Sequence, residues 1–218
     1  GPVHRVTTTK KLMDSGKLAE LNIMCVVLKY SEEIRKERKN KTYQEEMDWL
    51  VTNEKRNKFI RNLAVNSKGN TLVLFQYVEK HGKVLYDLIK NKVHDERKVF
   101  FVYGGTETSD REAIRHITEG ESDAIIIASF GTFSTGINIP SLENVIFASP
   151  SKSKIRNLQS IGRGLRLKNG KTSCKLFDIA DDLHWKSWKN HTLNHAAERY
   201  KTYAEEEFDV KLIEVEVC

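Results

Sequence analysis

The hydrophobic residues of this chain form short unbroken runs that alternate with longer stretches of helical spacing. The unbroken runs, each of strand length, lie at 22–30, 71–75, 99–103, 124–128, 145–148 and 175–179. The stretches with helical spacing lie at 43–65, 80–90 and 110–118. Unbroken runs are typical of strands that are buried on both faces, and their alternation with helices indicates βαβ units. The predicted fold class is therefore α/β, a three-layer domain with a central, mostly parallel sheet and helices on both faces.

Several segments carry more specific expectations. The charged run at 31–41 is either a solvated loop or a weak helix, and the helix at 43–65 has a break near Thr52. The aromatic-rich stretch 183–208 is predicted as one long helix, followed by a strand at 210–217. Within 80–90 the spacing places three apolar residues toward the core: Val84, Leu85 and Leu88.

The composition excludes several classes of protein. The 218 residues are 39% hydrophobic and 30% charged, and no apolar run approaches the ~20 residues that a bilayer span needs. The N-terminus has no signal-peptide core, and the three cysteines form no Cys-x-x-Cys pair, so a reducing, cytoplasmic setting is expected. A net charge of +6 favours anionic partners, nucleic acid among them. Gly1-Pro2 resembles the scar of a removed tag, which predicts an excised fragment.

The strongest candidate for chemistry is the segment 159–166, Gln-Ser-Ile-Gly-Arg-Gly-Leu-Arg. On a helix, Arg163 and Arg166 would share one face because they stand three residues apart. Two guanidinium groups placed in this way can spread charge over the phosphoryl oxygens of a nucleotide, as arginine fingers do. A basic helix turn that meets solvent or RNA is the alternative, and the segment by itself favours neither.

A second candidate lies upstream of these arginines. The buried run 124–128 leads into a loop rich in Ser, Thr and Gly, which ends in Gly-Ile-Asn-Ile-Pro at 136–140. Small hydroxyls and exposed amides at the carboxyl end of a strand suit phosphate contacts. Taken alone, the loop is more simply an ordinary polar connection.

Together, the two segments resemble motifs V and VI of superfamily 2 helicases. The run 71–75 with the residues that follow it resembles motif IV, and Val-Tyr-Gly-Gly at 102–105 resembles the segment between motifs IV and V. The four segments have the order and spacing of that family. Over its whole length the chain is similar to the C-terminal half of the recombination helicases of T-even bacteriophages. The resemblance implies a second RecA-like (P-loop NTPase-type) lobe at 67–218, packed as one domain with a lead-in arm, strand and helix at 3–66.

The resemblance also implies roles for individual residues. Arg163 and Arg166 match the catalytic arginines that face the nucleotide phosphates, and Gln159 opens the same motif. Gly136 and Asn138 match positions near the nucleotide, although Asp is commoner than Asn at the second of them. The expected contacts to the nucleic-acid backbone are Gln76, Lys80, Gly104, Gly105, Ser129 and Thr132. The length of the loop leaves open which of the last two hydroxyls replaces the motif V threonine.

The 218 residues lack the Gly-x4-Gly-Lys-Ser/Thr loop that an ATPase needs. The run 176–182 imitates a strand that ends in the acidic pair of such a site, Asp181 and Asp182. Without a partner loop we expect these two aspartates to cap the helix that follows. The resemblance implies that ATP with Mg²⁺ is held mainly by a missing N-terminal RecA-like lobe, on which this lobe closes. The fragment alone is expected not to hydrolyse ATP.

The implied function is that of the C-terminal motor lobe of an ATP-dependent DNA helicase or translocase in recombination, repair and replication. The expected partners are branched or single-stranded DNA, namely recombination junctions, stalled forks and R-loops with their RNA–DNA hybrids. A phage-encoded protein of this kind would work in the host cytoplasm. The alternatives are a non-catalytic nucleic-acid-binding module and the helicase lobe of a restriction or repair enzyme.

Two features of the last predicted helix have simpler explanations than function. His191 and His195 have the i, i+4 spacing of a zinc pair, but the Glu of His-Glu-x-x-His is absent, so no metal site is expected. Aromatic residues of this stretch could stack on bases, although packing into the core is the usual role of such a stripe. These residues are Trp185, Trp188, Tyr200 and Tyr203.

Overall fold

A computed structural model describes residues 20–94, 96–106, 120–134, 142–150 and 173–217. The strands are β1 (Glu20–Lys29), β2 (Thr71–Phe75), β3 (Val99–Val102), β4 (Ile125–Ser129), β5 (Asn144–Phe147), β6 (Ser173–Asp182) and β7 (Val210–Glu216). The helices are α1 (Glu32–Arg38), α2 (Tyr43–Thr52), α3 (Glu54–Asn66), α4 (Lys83–Lys90), α5 (Phe130–Ser134) and α6 (His191–Glu205), and a π-turn (Val78–Gly82) precedes α4. The described strands form a seven-stranded sheet in the order β3-β4-β2-β5-β6-β1-β7. Neighbouring strands pair in parallel throughout this sheet, which confirms the predicted α/β fold class.

The two faces of the sheet carry separate hydrophobic clusters. Side chains alternate along a strand, so Leu72 and Leu74 of β2 join one cluster while Val73 and Phe75 join the other. Helices α2, α3 and α4 cover the second face through Leu50, Ile60, Ala64, Leu85 and Ile89. Helices α5 and α6 cover the first face through Phe133 and Tyr203. The result is the three-layer arrangement that the sequence predicts.

The predicted break after Thr52 is confirmed, because two helices replace one. Asn53 ends α2 and also begins α3, where its side chain accepts a hydrogen bond from the Arg56 amide at 2.9 Å. Thr42 and Glu45 form a complete capping box at the start of α2, which satisfies amides that would otherwise lack partners. The charged run that could have been a loop contains α1, whose first turn is capped by Ser31.

The prediction of one helix over 183–208 was wrong at its N-terminal end. Helix α6 begins at His191, and an antiparallel bridge joins Trp185 to Trp188 in the turn before it. The start of α6 is set from a distance, because the buried carboxylate of Glu46 accepts hydrogen bonds from the amides of His191 and Thr192 at 2.9 and 2.8 Å. The hydrophobic spacing of 183–208 carries no information about this cap, because Glu46 belongs to α2.

The prediction that the acidic pair Asp181 and Asp182 caps this helix was also wrong. Asp178, Asp181 and Asp182 all lie on β6, and each binds side chains outside this strand. The partners are Arg199 and Tyr203 for Asp178, Arg56 and Tyr30 for Asp181, and Lys29 and His184 for Asp182. Helix α6 starts only at His191, nine positions after Asp182, so these carboxylates are held by other contacts instead.

In α4 the predicted inward position of Val84 was wrong. Leu85 and Ile89 are fully buried at i, i+4, whereas Val84 is 39% exposed. Neighbouring residues on a helix point about 100° apart, so Val84 lies beside the buried stripe and not in it. Within the described ranges, no helix combines the length and apolar character needed to cross a lipid bilayer.

Candidate nucleic-acid interface

The described candidate residues lie where parallel strands end. Gln76 follows β2, Gly104 and Gly105 follow β3, and Ser129 is the last residue of β4. Strands β3, β4 and β2 are neighbours in the sheet, and a spacing of about 4.8 Å between strands places their ends within about 10 Å of one another. Ligands of open parallel sheets bind at this carboxyl edge. The fold therefore brings together residues that are far apart in the chain.

Gln76 and Lys80 both face solvent on the turn after β2. The amide of Gln76 donates to Ser149 Oγ at 3.1 Å, which holds the start of this turn against the end of β5. Lys80 Nζ donates to Asp48 Oδ1 of α2 at 2.9 Å, and this hydrogen bond lowers the pKa of the Asp48 carboxyl. Exposed ion pairs contribute little stability, so a phosphate oxygen can replace Asp48 as the partner of Lys80.

The two hydroxyls after β4 act as a pair. Ser129 Oγ and Thr132 Oγ1 are 2.7 Å apart, and the Thr132 amide donates to Ser129 Oγ at 3.2 Å. Thr132 is only 4% exposed, whereas Ser129 is half-buried. Ser129 therefore presents the more accessible hydroxyl, and Thr132 orients it.

The glycine turn after β3 exposes backbone. The Thr106 amide donates to Tyr103 O at 2.9 Å, and the Tyr103 amide donates to Thr106 Oγ1 at 3.0 Å. A Cβ on Gly105 would lie 2.7 Å from the Tyr103 ring, while a Cβ on Gly104 would meet no described atom within 4 Å. Gly105 thus permits the close approach of Tyr103, and Gly104 leaves an open surface beside the strand end.

An open groove lies beside Lys80. It has a volume of about 500 Å³ and is lined by Arg38, Lys41, Glu45, Asp48, Trp49, Thr52 and Lys80. The Arg38 guanidinium lies 5.4 Å from the centre of the Trp49 ring, a geometry in which the ring face attracts the cation. Basic and aromatic groups therefore continue from the turn after β2 toward α1.

Two buried residues at this edge were missed by the reasoning from sequence. His81 and Ser149 are both fully buried, and His81 Nδ1 lies 2.9 Å from Ser149 Oγ. Burial, and secondarily the nearby Arg56, lower the pKa of His81 well below its usual value, so the imidazole is neutral at pH 7. The position of Ser149 in the sequence could have marked it as a candidate, because it follows β5 by two residues, much as the candidate Ser129 ends β4.

Five predicted site residues lie outside the described residues. They are Gly136, Asn138, Gln159, Arg163 and Arg166. Their proposed contacts with nucleotide remain predictions from the motif.

The histidines of α6 pack against an aromatic ring. The rings of His191 and His195 lie edge-on to Tyr43, with ring centres 6.1 and 5.5 Å apart. In the part of the chain that the structure describes, no three His, Cys, Asp or Glu side chains are grouped as a metal site would need. Tyr203 is fully buried, which confirms its expected role in the core, and Tyr200 packs beside it in the same cluster.

Comparison with known proteins decides the family. The sequence matches the model of the helicase conserved C-terminal domain over residues 54–168, which is more than half of the chain. The chain belongs to this helicase C-terminal domain family. The resemblance to helicases that the motifs indicated is therefore confirmed.

Individual relatives support the same family and fold. The chain is 37% identical to the ATP-dependent DNA helicase UvsW of Enterobacteria phage T4, over 96% of this chain and 43% of that protein. The crystal structure of T4 UvsW superimposes with a TM-score of 0.81 at 35% identity, covering 98% of this chain and 43% of that one. This chain therefore spans less than half the length of UvsW.

More distant structures share the fold alone. The DNA-bound restriction-modification enzyme LlaBIII gives a TM-score of 0.58 at 14% identity, over 96% of this chain and 16% of that one. The C-terminal domain of the DEAD-box protein Dbp5 gives a TM-score of 0.55 at 14% identity, over 92% of this chain and 91% of that one. These matches and that to UvsW confirm the RecA-like fold of a helicase C-terminal lobe.

Proposed function

We propose that this chain is the C-terminal motor lobe of an ATP-dependent DNA helicase or translocase that acts on branched nucleic acids. The observation that carries the proposal is the similarity to UvsW, an ATP-dependent DNA helicase, along 96% of the chain. That similarity runs through the segment that contains Arg163 and Arg166 as well as through the sheet edge described above. The lead-in at 3–66 and the lobe at 67–218 act in this proposal as one domain.

Nucleic acid lies across the carboxyl edge of the sheet and is held by its phosphates. Lys80 supplies a positive charge, Ser129 a hydroxyl, and the turn at Gly104 and Gly105 exposed backbone. Contacts of these kinds fix the position of a strand without reading its bases. Binding is therefore expected to be independent of sequence and to weaken as salt increases.

Arg163 and Arg166 act on the nucleotide. ATP and Mg²⁺ are held mainly by an N-terminal RecA-like lobe, since the Gly-x4-Gly-Lys-Ser/Thr loop is absent from these 218 residues. When the lobes close, the two guanidinium groups reach the γ-phosphate and stabilise the charge of the transferring phosphoryl group, with Gln159, Gly136 and Asn138 beside them. Hydrolysis removes this contact and lets the lobes separate, which moves one lobe along the strand.

The substrates in this proposal are recombination junctions, stalled forks and R-loops. A protein of this kind, if phage-encoded, works in the cytoplasm of the host. The substrate class rests on the similarity to UvsW, whereas the phosphate contacts rest on the sheet edge.

The test is the substitution Arg166→Ala in the full-length protein. An arginine finger contributes about 10³-fold or more to turnover, so ATP hydrolysis in the presence of DNA should fall by about that factor. DNA affinity, measured by fluorescence anisotropy without ATP, should change by less than about threefold, or roughly 0.7 kcal/mol. The same turnover assay with a four-way junction, a linear single strand and an RNA–DNA hybrid should rank the junction first.

The matched control is Arg61→Ala on α3, where the arginine hydrogen-bonds the adjacent Asn62. Turnover of this control should stay close to that of the unaltered protein. If Arg166→Ala turns over ATP normally but loses DNA affinity, the helicase proposal is wrong and a non-catalytic nucleic-acid-binding module is favoured.

A further inference from the structure

A buried hydroxyl joins the ends of two neighbouring strands. Ser149 comes shortly after β5, which pairs with β2 in the sheet. Its Oγ accepts a hydrogen bond from the amide of Gln76 at 3.1 Å and lies 2.9 Å from His81 Nδ1. Because Ser149 and His81 are fully buried, water does not compete for these bonds, and an unmade bond there would be costly.

A π-turn brings His81 to this position. The amides of His81 and Gly82 both donate to Tyr77 O, at 3.2 and 2.9 Å, and the second of these is the i→i+5 bond of a π-turn. Such turns are rare and recur at functional sites. The turn directs His81 into the protein while the adjacent Lys80 remains exposed. The π-turn thus places His81 in the interior and the neighbouring Lys80 in solvent.

The hydrogen bond between His81 and Ser149 does not depend on the tautomer of the neutral imidazole. If Nδ1 carries the proton, it donates to Ser149 Oγ, and if it does not, the hydroxyl donates to Nδ1. In the described part of the chain, His81 Nε2 has no hydrogen-bond partner. Ser149 is therefore the side-chain partner that fixes the orientation of the ring.

We propose that Ser149 and His81 are positioning residues for the nucleic-acid contact made by the turn at 76–80. Ser149 fixes the first amide of the turn and His81 fixes its far end, so Gln76 and Lys80 are held in place before a phosphate arrives. Preorganisation of this kind raises affinity because less conformational entropy is lost on binding. The inference rests on the proposed function, since it assigns the same turn to nucleic acid.

The test uses the variants Ser149→Ala, His81→Leu and His81→Asn of the full-length protein. Leu and Asn have similar shapes, but the Asn amide can donate to or accept from Ser149. Binding of a fluorescein-labelled single-stranded oligonucleotide is measured by anisotropy over a series of salt concentrations. Loss of the buried bond is expected to weaken binding about tenfold in Ser149→Ala and His81→Leu. His81→Asn should stay within about threefold of the unaltered protein, equivalent to roughly 0.7 kcal/mol.

The salt dependence separates positioning from general destabilisation. If the Lys80 contact is lost, the slope of log affinity against log salt should decrease by about one in the two weakened variants. Unchanged affinity and slope in both weakened variants would overturn the proposal. An equal loss in His81→Asn and His81→Leu would also overturn it, because packing would then matter and the hydrogen bond would not.

Thermal unfolding of each variant establishes that it is folded, and the two His81 variants decide the matter if Ser149→Ala does not fold. Because binding is measured without ATP, the outcome is independent of Arg166. A protein that shows these binding effects but no Arg166-dependent turnover would contradict the proposed function while supporting this inference. An unaltered protein that does not bind the oligonucleotide would overturn this inference.

Discussion

Two buried arginines hold strand β6 from opposite faces of the sheet. Arg56 of α3 donates to Asp181 and Arg199 of α6 donates to Asp178, both at 2.8 Å. Burial disfavours the charge on each arginine, but the adjoining carboxylate outweighs it and raises the pKa of both. Both arginines therefore remain charged, and they tie the two helical layers to the same strand.

Replacing Arg56 with Met tests one of these pairs. The substitution leaves the Asp181 carboxylate buried without its cation, and breaking a buried pair from one side costs about 3–5 kcal/mol. We expect the free energy of unfolding, measured with urea, to decrease by about that amount. Lys58→Met on the same helix is the control, because the ion pair of Lys58 with Glu54 is exposed and such pairs contribute at most about 1 kcal/mol. If both variants lose the same free energy of unfolding, the buried Arg56–Asp181 pair contributes no more stability than an exposed pair.

At the scale of secondary structure, the π-turn before α4 depends on a glycine. A Cβ on Gly82 would lie 2.6 Å from the ring of Phe75, which is fully buried and stacks on Phe101 with ring centres 5.5 Å apart. The end of β2 and the turn that follows it are therefore packed too closely for a larger residue. The close packing keeps the turn at 76–80 in one place at the sheet edge.

Gly82→Ala should destabilise the protein by about 1–3 kcal/mol, since an added methyl group in a packed core forces its neighbours to move. Gly131→Ala on α5 is the matched control, because no described atom lies within 4 Å of its added Cβ and Ala favours a helix by about 1 kcal/mol. Thermal unfolding of both variants measures the difference. If Gly82→Ala unfolds at the same temperature as the unaltered protein, the Phe75 ring can move to accommodate the added methyl group, and the prediction is wrong.

At the scale of the whole molecule, the sheet order decides which residues act together. The order β3-β4-β2-β5 places the ends of four strands side by side, although these ends are far apart along the chain. The edge strand β7 lies at the opposite side of the sheet from β3. Phosphate contacts are therefore expected to concentrate near β2 and β4, and to be absent near β7.

Substitutions of Lys80 and of its partner Asp48 are expected to change DNA affinity in opposite directions. Lys80→Ala should weaken binding to all sequences alike and reduce the slope of log affinity against log salt by about one. Asp48→Asn should strengthen binding, because it removes the carboxylate that competes with phosphate for Lys80. Lys211→Ala on β7 serves as the control and should leave the affinity unchanged. If Lys80→Ala and Lys211→Ala weaken binding equally, the attraction comes from net charge and not from this edge.

Much of the fold could be predicted because its signals are local. Unbroken apolar runs identified the strands, and their alternation with helices predicted the parallel sheet. The break near Thr52 was visible because Asn53 and the residues around it carry their own capping signals. Short motifs likewise predicted Gln76, Gly104 and Ser129 as contact residues, since each directly follows an apolar run, and their role stays a prediction.

The contacts that hold the edge together were decided by tertiary structure. His81 and Ser149 are 68 residues apart in the chain, and Tyr30 and Asp181 are 151 apart, so no periodicity links them. Glu46 sets the start of α6 in the same way, from a helix 145 residues earlier. The sequence by itself determined the strands, the parallel sheet and the motifs, because these depend on neighbouring residues. Only the folded chain decided which buried polar groups pair, because each must find its hydrogen-bond partner wherever packing places one.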